Sequence, residues 1–219
     1  MEEFERIWEK FSSERRLEFG GHKDPNWRGR YEISAAFVAA VDPERFAERL
    51  KPLRDALRPF PFVSPHPDHF MHITLNLIGF LGEGPSREGE VSEDGLIEIG
   101  AKARGALAGF EAFPVKLANL NAFPGAAFIE AHDDGEIEDL KDVLESSCGL
   151  KRTAGPPHLT LAYFHVPDGT EAPPALISTI ERHRNWPVGE IEVREVRLSL
   201  LNLRTDQPAP ETLTRIKLM

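Results

Sequence analysis

The chain spells out one strand–helix–strand unit twice, and that repetition narrows the folds open to its 219 residues. Ala35-Ala36-Phe37-Val38-Ala39-Ala40-Val41-Asp42 matches Ala126-Ala127-Phe128-Ile129-Glu130-Ala131-His132-Asp133, with Phe37 and Phe128 91 residues apart. Each reads as a buried strand running into an acidic turn. After the first, Phe46, Leu50, Leu53 and Leu57 recur at spacings of three and four. That is the apolar stripe of an amphipathic helix over Pro43 to Leu57, with Asp42 as N-cap and Pro43 at the first helical position. After the second, Ile137, Leu140, Val143 and Leu144 give the same stripe over Asp134 to Ser147. A Pro-bearing loop follows each helix, and then a strand that opens His-x-Thr-Leu: His72 to Leu75 and His158 to Leu161. The two histidines stand 86 residues apart, so the second loop is the shorter. Three elements matching in order predict an α+β chain of two equivalent lobes, two antiparallel sheets with helices on their outer faces and a central cleft.

The other segments fit this plan. Ser92 to Ala108 reads as a helix with Leu96, Ile99, Ala103 and Leu107 inward, and Phe113 to Ala122 as a strand turning at Pro124-Gly125. Pro174 to Trp186 reads as a helix, Glu190 to Asn202 as one long strand or two short ones, and Thr212 to Leu218 as a last strand. Gly82 to Gly89 is rich in Gly and charge and reads as a loop or lobe connection. Residues 1–30 stand apart from the domain over 31–219: Phe4, Ile7, Trp8 and Phe11 mark a short amphipathic helix ahead of a turn-rich stretch. It is either a docked helix covering apolar surface or a partner-binding helix or cleft lid.

Composition removes several classes of function. No apolar run reaches the ~20 residues that span a bilayer, and the acidic start, Met1-Glu2-Glu3-Phe4-Glu5, lacks the basic region of a secretory signal. The single cysteine, Cys148, forms no intrachain disulfide and, with no second thiol, no zinc cluster. A reducing, cytoplasmic setting is expected, and a monomer. The formal net charge of −10 opposes a general grip on the phosphates of long nucleic acid. A nucleic-acid substrate is then a short end or a small nucleotide, held in a local basic cleft.

The His-x-Thr strings carry the chemistry. Residues i and i+2 of a strand share a face, so each string presents an imidazole beside a hydroxyl. Such a pair is the equipment for acid–base chemistry on a phosphoester, which needs a base for the attacking group and an acid for the departing oxygen, on opposite sides of phosphorus. Histidine, with an unperturbed pKa of about 6.5, supplies both roles near neutrality. Thr74 and Thr160 are placed to donate hydrogen bonds to the non-bridging oxygens.

Pro67 to Leu75, the finish Leu77-Ile78-Gly79, and Pro156 to Leu161 resemble the two motifs of the 2H phosphoesterase superfamily, in its bacterial 2′-5′ RNA ligase/RNA 2′,3′-cyclic phosphodiesterase branch. The likeness runs from about Tyr31 to Leu218. It implies a bilobal fold with a cleft lined by both motifs, no metal or nucleotide cofactor, and opening of 2′,3′-cyclic phosphates on RNA ends or small cyclic nucleotides, with water as nucleophile or, when a 5′-hydroxyl replaces water, joining of RNA ends. His72, Thr74, His158 and Thr160 then form the catalytic set.

One departure stands out: many relatives carry a basic residue just after the second motif, where this chain has Tyr163 and Phe164. Lys151 and Arg152 are candidates for the missing charge, though a solvated loop also accounts for them. Asn76 continues the face of His72 and Thr74 and is a candidate ligand contact or a structural hydrogen bonder. Tyr163 or Phe164 is a candidate for stacking on a base, or simply core. His66, His69 and His72, with Asp68, are spaced by three across a Pro-interrupted segment, share no helix face and match no zinc spacing, so no metal site is expected. A nucleotide-binding module that keeps the fold without turnover is the alternative reading.

Overall fold

The computed structural model describes residues 2–21, 31–82, 89–205 and 207–219. The expected connection at Gly82 to Gly89 lies mostly outside them, as does much of the turn-rich stretch before Tyr31. The first unit is β2 (Ile33–Ala40), a 3-10 turn at Pro43–Phe46, α2 (Ala47–Leu57) and β4 (His72–Leu81). The second is β7 (Ala126–His132), α4 (Glu136–Cys148) and β8 (His158–Phe164). Around them lie β3 (Val63–Pro65), β5 (Glu90–Val91), α3 (Glu93–Ala106), β6 (Phe113–Phe123), α5 (Pro174–Glu181), β10 (Pro187–Val193), β11 (Glu195–Asn202) and β12 (Glu211–Lys217).

Among the described residues the main sheet has the order β10-β6-β7-β8-β4-β2-β11-β12, with β3 on β8 and β5 on β4. It divides into two antiparallel four-stranded halves: β4, β2, β11 and β12 form the first, and β8, β7, β6 and β10 the second. The halves join through one pair, Ile73 opposite Leu159. The helices back the sheet with an exchange. α2 follows β2 of the first half but packs on β10 of the second, and α4 follows β7 of the second half but packs on β4 of the first. One continuous core therefore runs behind both halves, from Leu50, Leu53 and Leu57 of α2 to Ile137, Leu140 and Leu144 of α4.

Several expectations needed adjustment. Asp42 caps the 3-10 turn, accepting from the Glu44 N–H, and the α-helix proper starts four residues later. α5 stops at Glu181 instead of Trp186. The carbonyls of His183 and Trp186 are taken by the N–H groups of Leu120 and Asn119 in β6, which draws the chain out of the helix. Glu190 to Asn202 resolves into two short strands, β10 and β11, broken at Arg194.

The repeat is also out by one. Val38 lies opposite Thr74, whereas Phe128 lies opposite Thr160, so the units superpose at an offset of 90 rather than 91. A slip of one residue exchanges the faces of a strand. Phe37 is thus fully buried against the helices, while Phe128 shares the face of His158.

The N-terminal segment is part of the body. α1 (Glu2–Glu14) packs against β6, and β1 (Arg16–Leu17) pairs with β9 (Thr170–Glu171). Beyond it Gly20 passes so close to Gly125 that a Cβ would sit 1.8 Å from the Gly125 carbonyl oxygen. The Gly20 N–H donates to the Phe164 carbonyl, and the Glu18 N–H to that of Pro124.

Candidate active site

Ile73 and Leu159, opposite each other where the halves meet, are both fully buried on the helix side. Their neighbours His72, Thr74, His158 and Thr160 therefore point to the other face. By the antiparallel register His72 stands across from Thr160 and Thr74 across from His158. Directly opposed side chains on such a ladder lie roughly 5 Å apart at Cβ, which puts the two imidazoles on the diagonal of a small quadrilateral with the two hydroxyls. All four side chains are half-buried.

Each imidazole is held in the same way. His72 Nδ1 donates to the Phe70 carbonyl at 2.8 Å, and His158 Nδ1 to the Pro156 carbonyl at 2.9 Å, in both cases two residues back. A carbonyl oxygen only accepts, so Nδ1 carries a proton and Nε2 is the nitrogen left to exchange one. Burial lowers the pKa of His72 from its ordinary value; the Phe70 carbonyl works against this and charge on His158 adds to it. Burial also lowers His158, opposed by the Pro156 carbonyl and reinforced by the Lys141 ammonium. The loop before His72 is pinned by Arg54 of α2, whose Nη2 donates to Asp68 Oδ1 at 2.6 Å and to the His66 carbonyl at 3.5 Å.

Both motifs end in a β-bulge. Between the Thr74–Val38 and Asn76–Phe37 pairs, Leu75 is the extra residue. Between Thr160–Phe128 and Ala162–Ala127, the extra residue is Leu161. A bulge reverses the facing of the residues beyond it. The position after the threonine on the histidine face is therefore Leu77 in one half and Tyr163 in the other, and both line the cleft. This corrects the reading of Asn76 as a continuation of that face. Asn76 is fully buried on the helix side and donates through Nδ2 to Glu145 Oε1 of α4 at 3.0 Å.

Against the first half lies a cavity of about 240 Å³. Its floor is the small side chains of β2 (Ser34, Ala36, Val38 and Ala40) with Arg197, Ser199 and Leu201 of β11 and Thr212 of β12. His72, Thr74, Met71, His69 and Tyr163 form its rim toward the second half. His158 and Thr160 stand outside this lining, on the adjoining strand.

Of the other expected contacts, Tyr163 reaches the cavity, but Phe164 is fully buried core. Arg152 lies on the helix side, engaged with Glu138, Asp142 and Glu145 of α4, and Lys151 is exposed in the same loop outside the cavity lining. The physical reason is α4 itself: its three carboxylates draw the guanidinium away from the cleft. The cation in the cavity is Arg197, whose Nε donates to Glu195 Oε1 at 2.6 Å. Sequence reading missed it, although Arg197 stands between the buried Val196 and Leu198 and so on the other face of the strand. His66, His69 and His72 diverge: the His66 ring lies against Phe70 and Tyr163, His69 Nε2 meets the Gln207 carbonyl, and His72 turns to the Phe70 carbonyl.

Beside His158 the second half is filled. The rings of Phe123 and Phe128 flank the imidazole at 5.0 and 5.1 Å between centroids. Glu130, in register with His158, is buried and takes hydrogen bonds from Asn119 and Asn121, each at 2.8 Å, and from Arg184 and His132. Burial raises its pKa, but these donors together hold the carboxyl below the ordinary range. Phe4 of α1 completes the layer, its ring 6.3 Å from Phe128 and 5.0 Å from His132.

Among the described residues no helix is long and apolar enough to cross a membrane. Comparisons with known proteins agree with the architecture. An RNA 2′,3′-cyclic phosphodiesterase of Aeropyrum pernix is 30% identical over 168 residues, covering 68% of this chain and 83% of that protein. The crystal structure of E. coli LigT complexed with 3′-AMP superposes with a TM-score of 0.60 at 18% identity, over 85% of this chain and 98% of that one. TT0787 of Thermus thermophilus does so with a TM-score of 0.55 at 21% identity, over 84% of this chain and 97% of that one. Residues 41–205 match the sequence profile of one family across both motifs, and on that match the chain belongs to the 2′-5′ RNA ligase superfamily.

Proposed function

We propose that this chain is a phosphodiesterase that opens 2′,3′-cyclic phosphates, on RNA ends or small nucleotides, to 2′-monoesters. Two imidazoles held alike and brought to adjoining strands are the observation that carries the reading. Each keeps its proton at Nδ1 and offers Nε2, so one acts as base toward water while the other, protonated, acts as acid toward the departing 3′-oxygen. Water gives a proton to the base and its oxygen bonds to phosphorus; the P–O3′ bond breaks and O3′ takes the proton of the acid. Thr74 and Thr160 occupy the other two corners, within reach of the non-bridging oxygens. The chemistry draws on side chains alone and asks for no metal.

The first-half cavity, with Arg197 on its floor and Tyr163 on its rim, suits a nucleoside beside an anionic phosphate. In support, the A. pernix relative is named for this activity and LigT was crystallised with 3′-AMP. The test is a panel of nucleoside 2′,3′-cyclic phosphates and oligonucleotides ending in them, with products resolved as 2′- or 3′-monoesters in the presence of EDTA. Turnover to the 2′-monoester is expected. Tight nucleotide binding without turnover would instead identify a binding module on the same fold.

A further inference from the structure

We propose that α1 commits this chain to hydrolysis, by occupying the half of the cleft that a second RNA end would need in order to be joined. The inference rests on the phosphodiesterase reading, in which the nucleoside lies over the first half and the attacking oxygen approaches phosphorus from the side opposite the leaving 3′-oxygen. In hydrolysis that oxygen belongs to water. In ligation it is the 5′-hydroxyl of another strand: O5′ loses its proton and bonds to phosphorus, P–O3′ breaks, and O3′ is protonated. The two outcomes differ only in whether a nucleotide fits on the second half.

The two halves differ there by position. Val38 lies opposite Thr74 and Ala40 opposite His72, and both line the open cavity. The equivalent residues, Phe128 opposite Thr160 and Glu130 opposite His158, are covered instead. Phe4 sits on Phe128 and is 5% exposed, and Asn121, fully buried, donates through Nδ2 to the Phe4 carbonyl at 3.0 Å. Arg184 bridges Glu5, at 2.8 Å, to Glu130, and its guanidinium lies over the Trp8 ring. α1 is fixed at both ends, because the chain beyond it is hydrogen-bonded to the β6–β7 turn and to the end of β8. Charge acts in the same sense. The first turn of α1, which seats Phe4 on Phe128, carries exposed Glu2 and Glu3, which repel a phosphodiester backbone, whereas the first half offers Arg197. α1 lies outside residues 41–205, which match the family.

The experiment supplies the full chain with an oligonucleotide ending in a 2′,3′-cyclic phosphate and an excess of an oligonucleotide bearing a 5′-hydroxyl, and separates monoester from joined product. The expected result is monoester only and, with the first-half cavity saturated by the 2′-monoester product, no binding of the 5′-hydroxyl strand in a filter assay. In Phe4→Ala/Glu5→Ala, shown to be folded by circular dichroism, hydrolysis persists while the 5′-hydroxyl strand binds under the same saturation or is joined. Joined product from the unaltered chain, or binding of the 5′-hydroxyl strand to it under that saturation, overturns the role of α1 and leaves the phosphodiesterase standing. Absence of any monoester sinks the phosphodiesterase reading, and the filter assay still decides whether α1 closes that face.

Discussion

The two halves carry the same motif, the same Nδ1 anchor and the same bulge after the threonine, yet their histidine faces have opposite fates. In the first, Ser34, Ala36, Val38 and Ala40 are small and leave a cavity. In the second, Phe123, Phe128, Glu130 and α1 pack over the corresponding face. The two units thus share an imidazole and a hydroxyl, the pair the proposed chemistry uses, and differ in what surrounds them. One half keeps an open cavity beside its histidine, and the other packs side chains around its own.

That contrast can be broken experimentally, most forcefully at the shared feature. His72→Ala and His158→Ala should each reduce kcat by ~10²–10⁴-fold, as expected for loss of a general acid or base, with Tm shifted by little. An unequal pair, with one variant near full activity, would show that only one half does chemistry. Next comes Glu130→Ala, which takes away the buried carboxylate that faces Arg184 and leaves only the exposed Glu5 to pair with it. A loss of about 3–5 kcal/mol in stability is expected from urea titration, with nothing comparable from a variant of the open half. Third, Arg197→Ala should lower kcat/KM on a cyclic nucleotide by about tenfold to a hundredfold, the ~1.5–3 kcal/mol of a hydrogen bond to a charged group, and leave the unfolding midpoint in place. Matching stability losses at Glu130 and Arg197 would erase the distinction between a structural half and a binding half.

A finer probe is pH. Burial depresses both imidazoles, so the form with one neutral and one charged ring is most populated below the ordinary histidine pKa of 6.5 and gives way to the doubly neutral form as pH rises. The optimum of kcat/KM should therefore fall on the acid side of that value. In His158→Ala the NMR titration of His72 should move upward, because a like positive charge that repels its protonated form is gone. A His72 titration that stays put would mean the rings do not sense each other. The smallest effect is expected at Arg152→Ala: its ion pairs on α4 are exposed, and neither activity nor Tm should change measurably.

Much of this was legible in the sequence because it depends on local periodicity. The stripes of α2 and α4 and the alternation in the His-x-Thr strands pick out the elements and the motif faces without knowledge of tertiary contacts. Faces beyond a bulge were not legible. Leu75 and Leu161 look like ordinary strand residues, and only the pairing with β2 and β7 reveals the doubled position that sends Asn76 inward and Tyr163 outward. The same blindness set the repeat one residue out, since Phe37 and Phe128 are alike in type and differ only in facing. Arg197 was hidden for another reason: an arginine on an alternating strand marks the face away from the core, and topology alone decides whether that face meets water or a cleft.

The exchange of α2 and α4 behind the sheet has a consequence for how such a molecule can move. Each half leans on a helix that the other half's repeat supplies, so neither could be cut out and still cover its own apolar backing. A hinge at the Ile73–Leu159 seam would have to shear both helices across the core. Breathing of the cleft is therefore left to its rim segments, while the spacing of the two rings stays as rigid as the interior behind them.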